Sequence, residues 1–284
     1  MDLDKLISWH DAKLFVSGFD IQGYGPSTSL VGNLQLISNI EATPDVKLYD
    51  LWFEQELFER ALSIRLGQEG ANDEMMLTKY SALFLNSSFG FPGLPAADLP
   101  SGGPNYPMAA PFVRIRYTNN NISLTGALFT DDPAPSGTGD PQLRDAGGTA
   151  FRLNDHGLSF AELAYDGEVA GLPGTYKLGA WYSSAKLLPT ELATVGDETL
   201  HGGTGGAAVY GIIDQLLWQG PGAKDNGVGA MVVVTPTGVC FSDLYVEAVS
   251  IGKDPLEVAT TTLLAWASPI STLIPLISGL PPML

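Results

Sequence analysis

Residues 112–118 read FVRIRYT, and apolar and charged side chains alternate along this short stretch. The apolar residues Val113, Ile115 and Tyr117 occupy every second position, with an arginine between each pair. Successive side chains of a β-strand point to opposite faces of its sheet, so this spacing separates the apolar residues from the arginines. The stretch therefore predicts a β-strand with one apolar face and one charged face.

The same alternation recurs along most of the chain. Residues 48–57 (LYDLWFEQEL) place Tyr49 on an apolar face with Leu51, Phe53 and Leu57, opposite Asp50, Glu54 and Glu56. About ten strands are expected, at residues 13–23, 48–57, 61–68, 112–118, 122–130, 158–166, 175–183, 207–218, 227–235 and 241–249. The 33 glycines and 20 prolines favour many turns between them. The sequence predicts an all-β, antiparallel fold.

Such alternation fits two kinds of sheet. In a soluble β-sandwich the apolar face packs into a core, whereas in an outer-membrane barrel it faces lipid and the polar face lines a lumen. Two observations favour the transmembrane β-barrel. Carboxylates and guanidinium groups fall close together on consecutive strands, and aromatic residues fall near strand ends, where barrels carry interfacial girdles. These aromatic residues are Tyr49, Trp52, Tyr117, Phe129, Tyr182 and Trp218.

Composition limits the partners and the sites. Acidic residues outnumber basic ones 31 to 14, and the net charge of −17 argues against nucleic acid and anionic lipid headgroups as partners. The single cysteine, Cys240, excludes an intrachain disulfide, and no spacing of histidines suggests a metal site or cofactor. The chain begins without the basic and apolar regions of a signal peptide. Before residue 258, no apolar run reaches the ~20 residues of a spanning helix.

Two segments interrupt the strand pattern. Residues 72–84, NDEMMLTKYSALF, space Met76, Tyr80 and Leu83 at helical intervals and predict one short helix. A proline-rich and glycine-rich loop follows at residues 86–111. Structureless loops of this length are uncommon in compact domains and are usually functional.

Several strings, taken together and in order, resemble the carbohydrate-selective porins of Gram-negative outer membranes, the OprB type. They are GNLQLISNIEA (32–42), LYDLWFEQ (48–55), LSIRLGQ (62–68), YSALFLNSSFGFP (80–92), LPSGGPNYPMAAPFVRIRY (99–117), FRLNDHGL (151–158), GLPGTYKLGAWY (171–182) and DQLLWQ (214–219). The resemblance implies a 16-stranded barrel in the outer membrane that lets sugars diffuse passively into the periplasm. It also implies carbohydrates and outer-membrane lipid as partners, and a homotrimer for the intact family member.

The resemblance further implies that the polar strand faces are the lumen. Guanidinium and carboxylate groups can form paired hydrogen bonds with vicinal hydroxyls, and aromatic rings can stack on sugar faces. The expected sugar-contacting residues are Glu54, Glu56, Arg65, Arg114, Arg116, Trp52 and Trp181. The loop at 86–111 is the expected constriction, with Asn86, Tyr106 and Pro111 as its candidate residues. Salt bridges within the lumen wall account for the charged residues equally well.

The chain also departs from the family pattern. It lacks the family's signal peptide and N-terminal stretch, and it has about ten strands. The family pattern predicts a motif close to G-R-D-D-D-T after Leu256, and this chain does not contain it. If one base is deleted from a DNA string that encodes this motif, the shifted reading frame encodes residues 256–267 of the chain. We therefore divide the chain into a partial barrel (1–256) and a frameshift-derived apolar tail (257–284). Because open strand edges leave backbone groups unpaired in lipid, we expect this product neither to insert nor to conduct.

Two alternatives come from other classes of protein. The first is a soluble β-sandwich that binds neutral glycans. The second is a hydrolase that uses Glu54 or Glu56 as its acid or base, although a solvated strand face is the commoner reason for such a pair. The preferred interpretation is a channel and not an enzyme.

Overall fold

The computed structural model describes residues 1–23, 25–31, 36–80, 84–87, 91, 96, 99–153, 156–186, 204–217, 227–234, 244–251, 261–266 and 274–276. They form one antiparallel sheet of 12 strands, in which every strand pairs with its neighbours in the sequence. The strands are β1 (Ala12–Ile21), β2 (Asp45–Leu57), β3 (Leu62–Glu69), β4 (Ala110–Asn119), β5 (Ile122–Thr130), β6 (Gly157–Val169), β7 (Leu172–Lys186), β8 (Thr204–Leu216), β9 (Gly227–Val234), β10 (Leu244–Ile251), β11 (Thr261–Trp266) and β12 (Ile274–Leu276).

The expected all-β, antiparallel fold is confirmed. Each of the ten predicted strands corresponds to one of β1 to β10, and β11 and β12 fall within residues 257–284. In the described part of the chain the sheet is open, because β1 and β12 are its two edges. The described helices are short: α1 (Leu3–Ile7), α2 (Pro141–Arg144), a π-helical turn at Ser27–Val31, and 3₁₀ turns at Ala71–Asp73, Pro100–Gly102 and Ala146–Gly148.

The two faces of the sheet have opposite chemistry. On the outer face, Leu124 is 55% exposed and Leu178 is 66% exposed. On the inner face, Arg114 is 1% exposed and Glu162 is 5% exposed. Strand register places one apolar row side by side across β3 to β7, formed by Leu62, Tyr117, Leu124, Leu163 and Leu178. Buried charges behind an exposed apolar surface reverse the order found in soluble proteins and match that of a membrane barrel.

A bulge in β2 changes which side chains face inward. The register between β1 and β2 shifts at Ser17, so that Tyr49 and Asp50 together oppose one residue of β1. Both are buried, with Tyr49 at 3% exposure, and the Tyr49 hydroxyl donates to Oδ1 of Asn72 at 2.7 Å. The expectation that Tyr49 lies on the apolar outer face is therefore wrong, because strict alternation cannot register an inserted residue.

The predicted aromatic girdle is only partly correct. Tyr117 and Tyr182 are about half exposed on the outer face, as expected. Phe129 is 1% exposed and packs on the inner face against Phe112, with ring centroids 5.2 Å apart. Like Tyr49, Phe129 therefore lies on the inner face. Trp52 packs against the cluster of buried apolar side chains to which Phe129 belongs. Trp218 lies outside the described residues.

Short turns and long connections lie at opposite ends of the sheet. At one end, Asn120 and Asn121 alone join β4 to β5, and Ala170 and Gly171 alone join β6 to β7. At the other end, residues 22–44, 70–109, 131–156 and 187–203 connect successive strands. The described part of segment 70–109 packs against the inner face, where Met75, Met76, Phe91, Ala96 and Leu99 join the apolar side chains of the strands.

The helix predicted at 72–84 is not present in its described part. Only Ala71–Asp73 forms a 3₁₀ turn, and residues 74–80 are irregular, while 81–83 lie outside the described residues. Met76 has a left-handed backbone (φ 58°), which no regular helix accommodates. The spacing of large side chains in this segment thus serves packing against the sheet, which overrides local helix propensity. Within the described residues, no helix has the length and apolar composition needed to cross a membrane.

Candidate functional site

Three arginines lie next to one another on the inner face of the sheet. Arg65 on β3 and Arg114 on β4 are register partners, so their side chains leave the sheet side by side. Arg116 follows on the same face of β4 and opposes Ser63 and Thr125 on its neighbours. Like charges at this separation repel each other, and buried cations require anionic partners.

Glu74 provides the central anion. Its Oε1 lies 2.5 Å from Nη1 of Arg65, and its Oε2 lies 2.7 Å from Nη2 of Arg116 and 3.3 Å from Nε of Arg114. Glu74 is 5% exposed and belongs to the connection at residues 70–109, not to a strand. One loop carboxylate therefore joins the irregular segment to both β3 and β4.

Further groups complete what we call the arginine network. Oε1 of Glu54 on β2 accepts from Ser63 Oγ at 2.6 Å and from Arg114 Nη2 at 2.9 Å. Ser63 Oγ in turn accepts from Nη1 of Arg114 at 2.6 Å. The network comprises Glu54, Ser63, Arg65, Glu69, Glu74, Arg114, Arg116 and Thr125. It contains three carboxyl groups and three guanidinium groups.

Exposure separates the arginines into two kinds. The side chains of Arg114 and Arg65 are 1% and 15% exposed, whereas that of Arg116 is 38% exposed. The Arg65 guanidinium lies over the Trp52 ring, 3.8 Å from its centroid, a geometry that favours a cation–π interaction. Arg116 is fixed by Glu74 and by a 3.1 Å bond to Thr125 Oγ1. It is thus the network arginine best placed to donate hydrogen bonds to a solute.

A second polar group lies on the inner face of β6 to β8. Lys177 Nζ is 3.4 Å from Oε1 of Glu162, and the Tyr210 hydroxyl donates to Oε2 of the same carboxylate at 2.9 Å. Asp214 is 6% exposed on β8. In the described part of the chain, no group of three potential ligand residues has a geometry suited to a metal ion. The inner face thus carries charged and hydrogen-bonding groups in two places, at the arginine network and around Glu162.

These features can be set beside known proteins. The family model for carbohydrate-selective porins, the OprB family, matches residues 1–262. The chain belongs to this family. No curated protein matches the chain significantly.

Among solved structures, the high-pH structure of Pseudomonas putida OprB is similar, with a TM-score of 0.71 and 18% sequence identity. The match covers 93% of this chain and 65% of that one. At this identity the likeness establishes the porin fold alone. The low-pH structure of the same porin matches with a TM-score of 0.47 and 13% identity, over the same shares of the two chains.

Several predicted site residues lie away from the arginine network of this porin. Glu56 pairs with Lys13 at 3.1 Å and Arg60 at 3.4 Å, near the edge strand β1. Trp181 is 3% exposed and packs within the inner apolar cluster. Its ring is therefore enclosed by side chains and is not open to a passing solute.

The residues chosen for the constriction loop have separate positions. Tyr106 packs against Phe19, with ring centroids 5.2 Å apart, and its hydroxyl donates to Ile40 O at 3.3 Å. Pro111 is the second residue of β4, so the loop ends before it. Asn86 is half-buried in the short described piece 84–87. The contacts described for Tyr106 lie outside the arginine network, whereas Glu74, from the predicted helix, belongs to it.

Sequence reasoning missed Glu69, Glu74, Glu162 and Tyr210 as inner-face groups, whereas the alternation of residues 175–183 placed Lys177 on the polar face. Glu69 and Glu162 continue the period of two of their strands, so extending each alternation would have found them. Glu74 carries no such signal. Its role depends on a fold of the chain that brings the segment after β3 back across the sheet.

Proposed function

We propose that this porin chain forms the wall of an outer-membrane channel through which sugars diffuse passively. The observation that carries the proposal is the inverted sheet, with an apolar outer face and a buried, hydrogen-bonded charge network inside. Apolar rows suit contact with lipid, and the inner guanidinium groups suit the hydroxyl pairs of a sugar. The sequence-predicted contacts Glu54, Arg65, Arg114, Arg116 and Trp52 all lie in or against this network.

The proposal assigns different roles within the site. Arg116 contacts the sugar directly, because its guanidinium reaches solvent while two protein groups hold it in place. Arg114 and Glu54 are almost fully enclosed and position the others. The guanidinium and carboxyl groups of the network are paired with one another, so a solute meets hydrogen-bonding groups that suit the hydroxyls of a neutral sugar.

Sugar binding by the detergent-solubilised chain tests this function. Glucose and maltose would be titrated while tryptophan fluorescence is recorded, since Trp52 stacks on Arg65 beside the proposed site. We expect a saturable change, shifted to at least about tenfold higher sugar concentration in Arg116→Ala, a loss of about 1.4 kcal/mol. The matched control is Arg60→Ala, since the Arg60 side chain is 71% exposed in the turn before β3.

Two outcomes of this titration would contradict the proposal. One is the absence of a saturable signal with any neutral sugar from a chain whose circular dichroism shows a folded sheet. The other is an equal loss of affinity in Arg60→Ala and Arg116→Ala, which would show that the network has no particular role in binding.

Passive transport requires no catalytic group, and we propose that the chain has no enzymatic step. Glu54 accepts hydrogen bonds from Ser63 and Arg114, and Glu56 pairs with Lys13 and Arg60. Carboxylates engaged in this way are poorly placed to act on a glycosidic bond. Incubation with maltooligosaccharides should release no new reducing ends, and release that is lost in Glu54→Gln would favour the hydrolase alternative.

We also propose outer-membrane lipid as the partner of the apolar face and a homotrimer as the assembly of intact family members. Chemical cross-linking of an intact family member in detergent would detect the trimer as a product with three times the mass of the monomer. Only monomers under all cross-linking conditions would contradict the trimer, without affecting the proposed lipid contact.

A separate proposal concerns residues 257–284. We propose that they derive from a shifted reading frame, while residues 1–256 retain the porin sequence. The sequence of residues 256–267 supports the proposal, since a one-base deletion from a string encoding the family motif reproduces it. Resequencing the gene around codon 258 tests the proposal. An intact frame in independent reads, with no aspartate run encoded in the alternative frame, would refute it.

A further inference from the structure

Residues 74–80, which we call the strap, are attached to the sheet on both sides of the inner face. Glu74 binds Arg65 on β3 and Arg116 on β4. Further along, the Leu77 carbonyl accepts from Lys177 Nζ on β7 at 3.0 Å, and the Lys79 N–H donates to Asp214 Oδ2 on β8 at 2.8 Å.

These attachments require the strap to pass across the inner face. Strands β4 and β8 are separated by four inter-strand spacings, about 19 Å along a sheet. The residues from Glu74 to Lys79 span about 17 Å when fully extended. The backbone alone does not cover this distance, and the long side chains of Glu74, Arg116 and Lys177 supply the remaining reach.

The strap has a packed side and an open side. Met75 and Met76 are fully buried in the inner apolar cluster, and Thr78 and Tyr80 are 4% and 2% exposed. Leu77 is 37% exposed, and Lys79 is also exposed. Leu77 and Lys79 are thus the strap side chains that reach solvent, and the Lys79 ammonium lies 5.2 Å from the centroid of the Tyr80 ring.

We propose that the strap narrows the passage and that Leu77 and Lys79 determine which sugars pass it. This inference rests on the proposed channel function and identifies its selective element. An isobutyl group and an ammonium group side by side match the two surfaces of a pyranose, an apolar C–H face and a rim of hydroxyls. The assignment differs from the constriction expected at 86–111, because the strap precedes that loop.

The attachments of the strap allow its open side to be altered selectively. At Leu77 and Lys79 the bonds to the sheet use the backbone carbonyl and the backbone N–H. Substituting either side chain therefore leaves the attachment atoms in place. Thr78 lies between them with the opposite orientation and is the matched control.

Cysteine labelling tests the geometry of the strap. In a chain with Cys240→Ser, the variants Leu77→Cys, Thr78→Cys and Lys79→Cys would be treated with a hydrophilic maleimide in detergent. We expect Thr78→Cys to react at least about tenfold more slowly than the other two, because thiol reactivity requires access. Equal rates at all three positions would overturn the proposed orientation.

Adding Glu74→Gln to the Thr78→Cys variant tests the attachment. Loss of the central anion should release the strap, so the rate at residue 78 should rise severalfold. Glu168→Gln is the matched control, since Glu168 is exposed near the end of β6. If Glu74→Gln leaves the rate unchanged, the arginine network does not hold the strap.

Sugar protection then tests selectivity. Saturating maltose should slow labelling of Leu77→Cys and Lys79→Cys and leave Lys5→Cys unaffected, since the Lys5 side chain is 82% exposed on α1. If the fluorescence titration shows binding but neither strap position is protected, the strap does not face the sugar. If no sugar binds, the channel function fails, while the labelling pattern still reports on the strap itself.

Discussion

Nη2 of Arg116 lies 2.7 Å from Oε2 of Glu74, so a half-exposed cation on β4 is held by a buried anion in the strap. Thr125 Oγ1 on β5 accepts a second bond from the same guanidinium. A side chain held from two directions loses little freedom when it binds a solute, and this lowers the entropic cost of recognition. Arg116 thus combines access to solvent with a fixed orientation.

Replacing Glu74 with alanine should destabilise the folded chain strongly. The substitution leaves three closely spaced guanidinium groups without their shared anion, and breaking a buried ion pair typically costs about 3–5 kcal/mol. Urea unfolding in detergent micelles would measure the loss. Glu168→Ala, at an exposed position, should stay within about 0.5 kcal/mol of the parent. A similar stability for both variants would show that the arginine network contributes little.

Arg116→Lys should weaken sugar binding while the chain stays folded. Lysine keeps the charge beside Glu74 but lacks the planar pair of donors that can bind two hydroxyls at once. We expect about a tenfold rise in the sugar concentration needed for half-saturation, close to the effect of Arg116→Ala. Binding in Arg116→Lys equal to that of the parent would show that charge alone suffices at this position.

Leu178→Arg tests whether the apolar face meets lipid. An arginine on the lipid-facing side of a barrel costs about 2–4 kcal/mol at the bilayer midplane, whereas an exposed substitution in a soluble protein is nearly neutral. We expect a reduced folded fraction in detergent micelles, measured by the shift of folded protein on cold electrophoresis. Glu168→Arg is the control near a strand end. An unchanged folded fraction in Leu178→Arg would favour the soluble sandwich.

Asp131→Asn should change how stability depends on pH. Asp131 lies between β5 and β6, is fully buried, and accepts from Ser183 Oγ and from Ala185 N at 3.3 Å. Burial raises the pKa of this carboxyl above its ordinary value of 3.8, and its hydrogen bonds only partly oppose that rise. The folded chain therefore binds this proton more tightly than the unfolded chain does, so this group favours folding increasingly as the pH falls through its raised pKa.

The asparagine variant keeps an acceptor for both bonds and cannot become charged. The free energy of unfolding of this variant should exceed that of the parent most at neutral pH, and the difference should shrink toward pH 4. Urea unfolding at several pH values measures it. Because both chains share all other titrating groups, the difference between them isolates residue 131. A constant difference across the pH range would contradict the expected protonation.

The chain alone should form no stable channel in a planar bilayer. In the described residues, β1 and β12 each pair on one side only, and unpaired backbone groups in lipid cost several kcal/mol each. The measurement is single-channel conductance with and without sugar. Long-lived, sugar-permeable openings would show that the chain closes a barrel by itself or with further copies.

Sequence alone could predict most of the wall. Period-two alternation located each of β1 to β10, and it placed Arg65, Arg114 and Arg116 on the same polar face because the pleat directs alternate side chains together. Prediction failed where the chain departs from that period. The bulge at Tyr49 and Asp50 changes the inward-facing set within a single strand, which no count of alternate residues can detect.

The strap could not be predicted for a different reason. The segment around Met76 and Tyr80 has large side chains at helical spacing, and local propensity favours a helix there. Its actual course is set by ion pairs with β3 and β4 and by a backbone bond to Asp214 on β8, far away in the sequence. Such partners become apparent only when the sheet has brought distant strands to the same inner surface.

The two attachments of the strap also imply an order of assembly. The bond from Lys79 to Asp214 joins groups 135 residues apart in the chain, while Glu74 binds strands that lie beside it in sequence. Closing so long a loop is slow unless intervening hairpins have already shortened it. The hairpins from β3 to β8 should therefore pair first, and the passage should remain wide until the last of them delivers Asp214 to the waiting segment.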